Sequence, residues 1–135
     1  MDDVQRAYDL AVASRDHAYA PYSEFHVGAA IKVAGSDLIF AGCNVENASY
    51  GAGVCAERVA VFNMLAAADA PRPEFLVVVT DADPASVPCA LCLQVLAEFC
   101  PPEFPIHLAN LEGIQRTVRF RDLLPEPFQL EPHEH

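Results

Sequence analysis

The chain has 135 residues, more than half of them hydrophobic at 53%, with a formal net charge of −11 and only 8 Lys and Arg. That length suits one domain with one packed core, and the composition excludes a disordered chain. The shortage of basic residues argues against a surface that tracks phosphates, and so against nucleic acid or an anionic membrane as partner. A small neutral ligand fits the charge better. The N-terminus Met1-Asp2-Asp3 has neither a basic nor an apolar leader region, and Val59–Ala68 is too short to span a bilayer. A cytoplasmic location is the expectation. Five cysteines in a reducing compartment point to metal chemistry before disulfides.

In chain order, Val4, Ala7, Tyr8, Ala11 and Val12 recur at helical spacing, with Asp2 and Asp3 placed where a helix start favours negative charge. Pro21 ends that segment and Tyr22-Ser23-Glu24 forms a loop. From Phe25 to Val33 the period is two, which predicts a strand. Gly35-Ser36-Asp37 is a turn, and Leu38-Ile39-Phe40 opens an antiparallel partner. The stretch 42–53 is polar, aperiodic and rich in Asn and Gly, in the manner of a binding loop between strand and helix. A second helix starts near Cys55, with Cys55, Val59, Phe62 and Ala66 on one face. Phe75–Val79 reads as a strand covered on both sides. A third helix starts near Cys89, with Cys92, Val95, Leu96 and Phe99 along one side. Ile106–Ala109 and Gln115–Phe120 complete the strands, and Glu131–His135 reads as a frayed tail. The order predicts an α/β fold: a three-layer α-β-α domain over residues 1–135, with a mixed five-stranded sheet.

Two short motifs carry the chemistry: Val54-Cys55-Ala56-Glu57-Arg58 and Pro88-Cys89-Ala90-Leu91-Cys92. Cys89 and Cys92 share a helical turn, and Cys55 arrives from a second helix start. Three thiolates with one open position are a donor set for catalytic zinc. Helix N-termini favour the ionised sulfur. Glu57, two residues beyond Cys55, can stand near the metal without binding it and carry protons. A fourth ligand drawn from Cys43, Cys100 or His107 would instead close the site and make it structural. None of those three sits in a ligand-like pair, and Cys43 and Cys100 read as small buried hydrophobes.

These motifs resemble those of the short, homotetrameric cytidine deaminases that act on free nucleosides, a family within the zinc deaminases. The likeness runs through Tyr19-Ala20-Pro21-Tyr22-Ser23, Phe25–Ala30, Gly42–Gly51, both cysteine motifs, and Leu123-Leu124-Pro125 with Phe128. It implies one Zn²⁺ per subunit held by Cys55, Cys89 and Cys92. It also implies hydrolysis of cytidine and 2′-deoxycytidine to uridine and 2′-deoxyuridine in pyrimidine salvage, by attack of zinc-activated water on C4. Glu57 would shuttle protons and ammonia would leave. Phe25 would pack against the pyrimidine, Asn44 and Glu46 would bind the ribose hydroxyl, and the Ala56 backbone would read the base. Tyr50 and Phe128 would reach a neighbouring subunit's site in a homotetramer, while Arg58 and Gln94 would stand just behind the ligands.

Where the family has P-C-G-x-C-R-Q, this chain has Ala90 and Leu93. Three thiolates around a divalent ion leave one net negative charge, and Arg58 alone would remain to offset it. Leu93 therefore either makes the zinc more electron-rich or simply packs. Two further functions compete: deamination of a related aminopyrimidine nucleoside, such as a nucleoside antibiotic, and a silent nucleoside-binding or structural zinc protein. Ammonia release from cytidine that Glu57→Gln does not lower would favour the silent protein. Nucleic-acid editing is opposed by the acidity.

Overall fold

The computed structural model describes residues 2–131. The expected frayed tail falls mainly on residues 132–135, outside those described. Helix α1, Asp3–Arg15, starts where the Asp2 side chain accepts from the Gln5 backbone N–H at 2.9 Å, an N-cap that satisfies one orphan donor. Strands β1 (Gly28–Val33), β2 (Ile39–Cys43), β3 (Pro73–Val79), β4 (Pro105–Asn110) and β5 (Gly113–Arg119) form one sheet in the order β2-β1-β3-β4-β5. Helix α2 spans Ala56–Ala67, α3 spans Ala90–Phe99, and a single turn, α4, spans Phe120–Leu123. The mixed five-stranded sheet matches the fold read from the sequence: only β3 and β4 are parallel, joined through α3.

The sheet separates two apolar layers. Ala7 and Ala11 of α1 pack on Ala30, Phe75, Val77, Val79 and Ala109. On the other face, Ala56, Ala60, Val61 and Met64 of α2 and Leu93 and Leu96 of α3 pack on Ala29, Ile31, Leu76, Val78, Ile106 and Leu108. Every residue of β1 is therefore buried, as a strand covered on both sides requires. The helices approach very closely at two places. A Cβ on Gly28 would lie 1.9 Å from the Ala11 carbonyl oxygen, and one on Gly42 would lie 2.5 Å from the Ala60 nitrogen.

Strand β1 starts at Gly28 and not at Phe25, although the alternation of side chains begins at Phe25. The cause is competition for the backbone. The Asn44 amide donates to the Phe25 carbonyl at 2.8 Å and accepts from the Val27 N–H at 2.9 Å, so these groups do not enter a ladder. In α2 the residues Cys55, Val59, Phe62 and Ala66 share a face, but it is not the core face. The buried residues are Ala56, Glu57, Ala60, Val61 and Met64, on the opposite side, and Phe62 is 47% exposed.

Topology fixes where the loops emerge. Gly28 pairs with Cys43 on one side and Val79 on the other, both antiparallel. The ends of β2 and β3 therefore leave the sheet at one edge, flanking the entry into β1. The loop after β2 leads to α2 and the loop after β3 leads to α3. Two helix N-termini and the segment 22–27 converge there, outside the carboxyl ends of neighbouring strands, where open α/β sheets bind ligands.

Candidate active site

Cys55 is the N-cap of α2 and Cys89 is the N-cap of α3, and neither makes a side-chain capping bond. Both sulfurs are thus left free beside unpaired helical N–H groups. Cys92 lies in the first turn of α3 and is buried. The Sγ atoms of Cys55 and Cys89 are 3.6 Å apart, and those of Cys89 and Cys92 are 3.5 Å apart. Tetrahedral Zn–S bonds near ~2.3 Å separate neighbouring sulfurs by about 3.8 Å, so the three thiols are spaced as zinc requires. Among the described residues no other His, Cys, Asp or Glu joins this group. Cys43, Cys100 and His107 stay outside it, and His107 instead bonds Thr117 through Nδ1 at 2.8 Å. Three protein donors and an open position define a catalytic-type centre.

Electrostatics at the cluster follow from the crowded sulfurs. A hydrogen bond from Cys92, with further help from Arg58 and Cys89, draws the Cys55 thiol down to about 5. The reciprocal hydrogen bond to Cys55, together with burial, pushes Cys92 up. Arg58 brings Nη2 to 3.8 Å from the Cys55 sulfur, and its Nε is the one buried side-chain polar atom without a partner among the described residues. Glu57 is only 5% exposed, and burial, followed by the nearby Cys55 charge, raises its carboxyl to about 7. A carboxyl with that value gives and takes a proton readily near neutrality.

With Cys92 buried behind them, Cys55 and Cys89 open onto a cleft of about 480 Å³. It is lined by Phe25, Asn44, Glu46, Tyr50, Ala56, Glu57 and Arg58, all marked in the sequence. The polar loop before α2 is not loose. Val45 and Val54 exchange two backbone hydrogen bonds, both of 2.9 Å, and close its neck. Asn44 and Glu46 both grip the segment before β1. Glu46 accepts from the Tyr22 and Ser23 N–H groups at 3.0 and 3.1 Å and from the Ser23 hydroxyl. These bonds, the Ser23 hydroxyl foremost, hold its carboxyl below its ordinary value.

Gln94 and Phe128 lie elsewhere. Gln94 donates its amide N–H to the Phe128 carbonyl at 2.9 Å, tying the C-terminal segment to α3, and neither residue lines the cleft. Leu93 is 7% exposed and belongs to the core, so at this position the side chain packs. Ser23, Thr80, Val87 and Leu91 also line the cleft but were not marked in the sequence. Thr80 had a signal, since it ends a buried strand at the edge where the loops emerge. Val87 and Leu91 sit within or beside the second cysteine motif. Ser23 lies in a loop whose composition is ordinary.

A three-thiol centre with a buried carboxyl beside it, set between two helix starts at one sheet edge, defines a zinc-deaminase type of site. Residues 1–108 match the family model described as the cytidine and deoxycytidylate deaminase zinc-binding region. The chain belongs to that family. A cytidine deaminase of Sporosarcina psychrophila is 41% identical over 130 residues, 96% of this chain and 93% of that protein. A cytidine deaminase of Halalkalibacterium halodurans is 40% identical, covering 96% of each. Among solved structures, a cytidine deaminase from Burkholderia pseudomallei superposes with a TM-score of 0.84 at 42% identity, covering 92% of this chain and 98% of that one. One from Mycobacterium tuberculosis gives 0.81 at 35% identity, covering 96% of this chain and all of that one.

Proposed function

We propose that the protein hydrolyses cytidine and 2′-deoxycytidine to uridine and 2′-deoxyuridine with release of ammonia, as one deaminase domain acting in pyrimidine salvage. The single observation that carries this reading is the cluster of Cys55, Cys89 and Cys92 at zinc-binding spacing, at a cleft that buried Glu57 lines. Cys55, Cys89 and Cys92 would hold one zinc ion, which when bound supplies Lewis acidity and an activated water.

The chain's own residues do the rest. Glu57 holds or releases a proton at its carboxyl, whose raised value places both states within reach near pH 7. It takes the two protons of the attacking water in turn, giving the first to the ring nitrogen and the second to the departing amine, which leaves as ammonia. The backbone of Ala56, the first residue of α2, reads the base from a helix N-terminus. Phe25 gives the pyrimidine a flat apolar contact, and the cleft walls Val27, Val78 and Val87 exclude water. Asn44 and Glu46 each retain unused hydrogen-bonding capacity for a sugar hydroxyl. Arg58 offsets part of the negative charge at the sulfurs.

The same reading includes a homotetramer with shared sites in the cytoplasm. Tyr50 and Phe128 are 88% and 68% exposed, far more than an isolated chain gains by showing two large aromatics. Phe62, on the outward side of α2, adds further exposed apolar surface. Among the described residues no helix is long and apolar enough to cross a membrane. The test is loss of cytidine absorbance with zinc analysis on the same sample. The parent protein is expected to turn over cytidine with one zinc per chain, and Glu57→Gln to lose about 10²-fold or more at unchanged zinc content. Equal activity in the two proteins would refute the reading.

A further inference from the structure

Phe25 is held from both sides by groups that do not belong to a strand. Its N–H donates to the Ser23 hydroxyl oxygen at 3.0 Å, and its carbonyl accepts from Asn44 Nδ2 at 2.8 Å. The Ser23 hydroxyl proton goes to the Glu46 carboxylate, which also accepts the Tyr22 and Ser23 N–H groups. Glu24, between Ser23 and Phe25, has φ of +58°, a left-handed conformation that non-glycine residues adopt only when the surroundings impose it. The turn that aims Phe25 is thus fixed by a small polar network and not by packing, since Tyr22, Ser23, Glu24 and Phe25 are all exposed.

We propose that Ser23 is a positioning residue for the deamination, bridging Glu46 to the Phe25 backbone so that the group facing the sugar also sets the ring facing the base. The proposal rests on the reading that Phe25 packs on the pyrimidine. Accounting of donors and acceptors supports the bridge. A carboxylate offers about four acceptor sites. The 22–23 turn takes three at Glu46, which leaves one for a sugar hydroxyl. A hydroxyl that gives its proton to Glu46 turns its lone pairs to Phe25, so one serine meets both demands. Alanine meets neither, and leaves the Phe25 N–H and one Glu46 acceptor to water.

A positioned ring contacts the base in the ground state and in the transition state alike, so its loss falls on KM and not on kcat. In the zinc-loaded protein, Ser23→Ala is expected to raise KM for cytidine about tenfold, the scale of one charge-assisted hydrogen bond, with kcat within about threefold of the parent. Ser23→Thr keeps the hydroxyl and is expected to return KM to within about threefold of the parent value. In the unliganded protein, amide exchange at Phe25 is expected to speed up about tenfold or more in Ser23→Ala and not in Ser23→Thr.

An unchanged KM in Ser23→Ala, a fall in kcat in step with thermal stability, or a KM rise that threonine does not reverse would each overturn the role. Phe25→Ala separates the two layers. If it leaves KM unchanged, the reading of Phe25 fails and takes the bridge's function with it. If it raises KM while Ser23→Ala does not, the bridge alone is wrong.

Discussion

Asn44 and Phe25 are joined across nineteen positions of sequence by a 2.8 Å hydrogen bond from the Asn44 amide to the Phe25 carbonyl. The same amide accepts from the Val27 N–H at 2.9 Å, and Asn44 is only 8% exposed. One side chain therefore closes the gap between the polar loop and the entry to β1. Asn44→Ala leaves a backbone donor and an acceptor unpaired and is expected to cost about 1–3 kcal/mol of stability. Urea unfolding of the zinc-loaded protein measures it, and a loss below about 0.5 kcal/mol would show that water replaces the amide without penalty.

The Glu46 clamp carries a pH signature. Hydrogen bonds from Ser23 and Tyr22 hold its carboxyl below the ordinary 4.5. A depressed carboxyl stabilises the fold fully above the unfolded value, and the contribution fades as pH falls through the folded one. The Tyr22 and Ser23 amides are therefore expected to stay protected from hydrogen exchange at pH 5 and to lose protection only in more acidic solution. Protection that already declines between pH 7 and 5 would contradict the clamp.

Metal removal tests the cysteine cluster independently of turnover. Cys55 and Cys89 belong to different helices, so an ion shared by them ties α2 to α3. Chelation is expected to lower the thermal midpoint and to make it depend on zinc concentration, because metal affinity adds to folding. Cys92→Ser is expected to weaken zinc retention against a chromophoric chelator. A midpoint indifferent to both treatments would mean that the thiols hold no ion.

Leu93 stands where the family motif has arginine, yet it is 7% exposed within the core. Its job is packing, so Leu93→Ala is expected to cost about 2–5 kcal/mol in denaturant unfolding. Zinc content and the pH profile of turnover are expected to hold steady. A shifted profile at unchanged stability would restore an electronic role.

The outward face of α2 tests the assembly. Phe62, 47% exposed, is expected to lie between subunits. Phe62→Glu places a charge there and is expected to give a smaller species by light scattering, with activity falling in parallel. A tetramer-sized particle that survives the substitution would place the interface elsewhere.

The sequence was most legible where local chemistry and tertiary role coincide. Cys55 and Cys89 were placed at helix starts by their neighbours, and both prove to be N-caps. Period-two alternation misplaced the start of β1, because it describes side chains while Asn44 and Ser23 compete for the backbone of Phe25 and Val27. Helix α2 is apolar on both sides, so periodicity found a face at Val59 and Phe62 but could not tell core from exposed surface. The partners of Ser23 are 2 and 23 residues away, and a spacing of 23 in an irregular loop leaves no pattern to read.

Gly42 makes the metal centre sensitive to a single methyl group. Its missing Cβ would meet the backbone of Ala60 at 2.5 Å and of Ala56 at 2.8 Å, both in α2. To admit that methyl, α2 would have to lift off β2, and Cys55 is the N-cap joined to its first residue. A lift of even a few tenths of an ångström is a large error against a Zn–S bond near ~2.3 Å. The hydrogen atom on Gly42 works as a shim, setting the height at which one sulfur meets the other two.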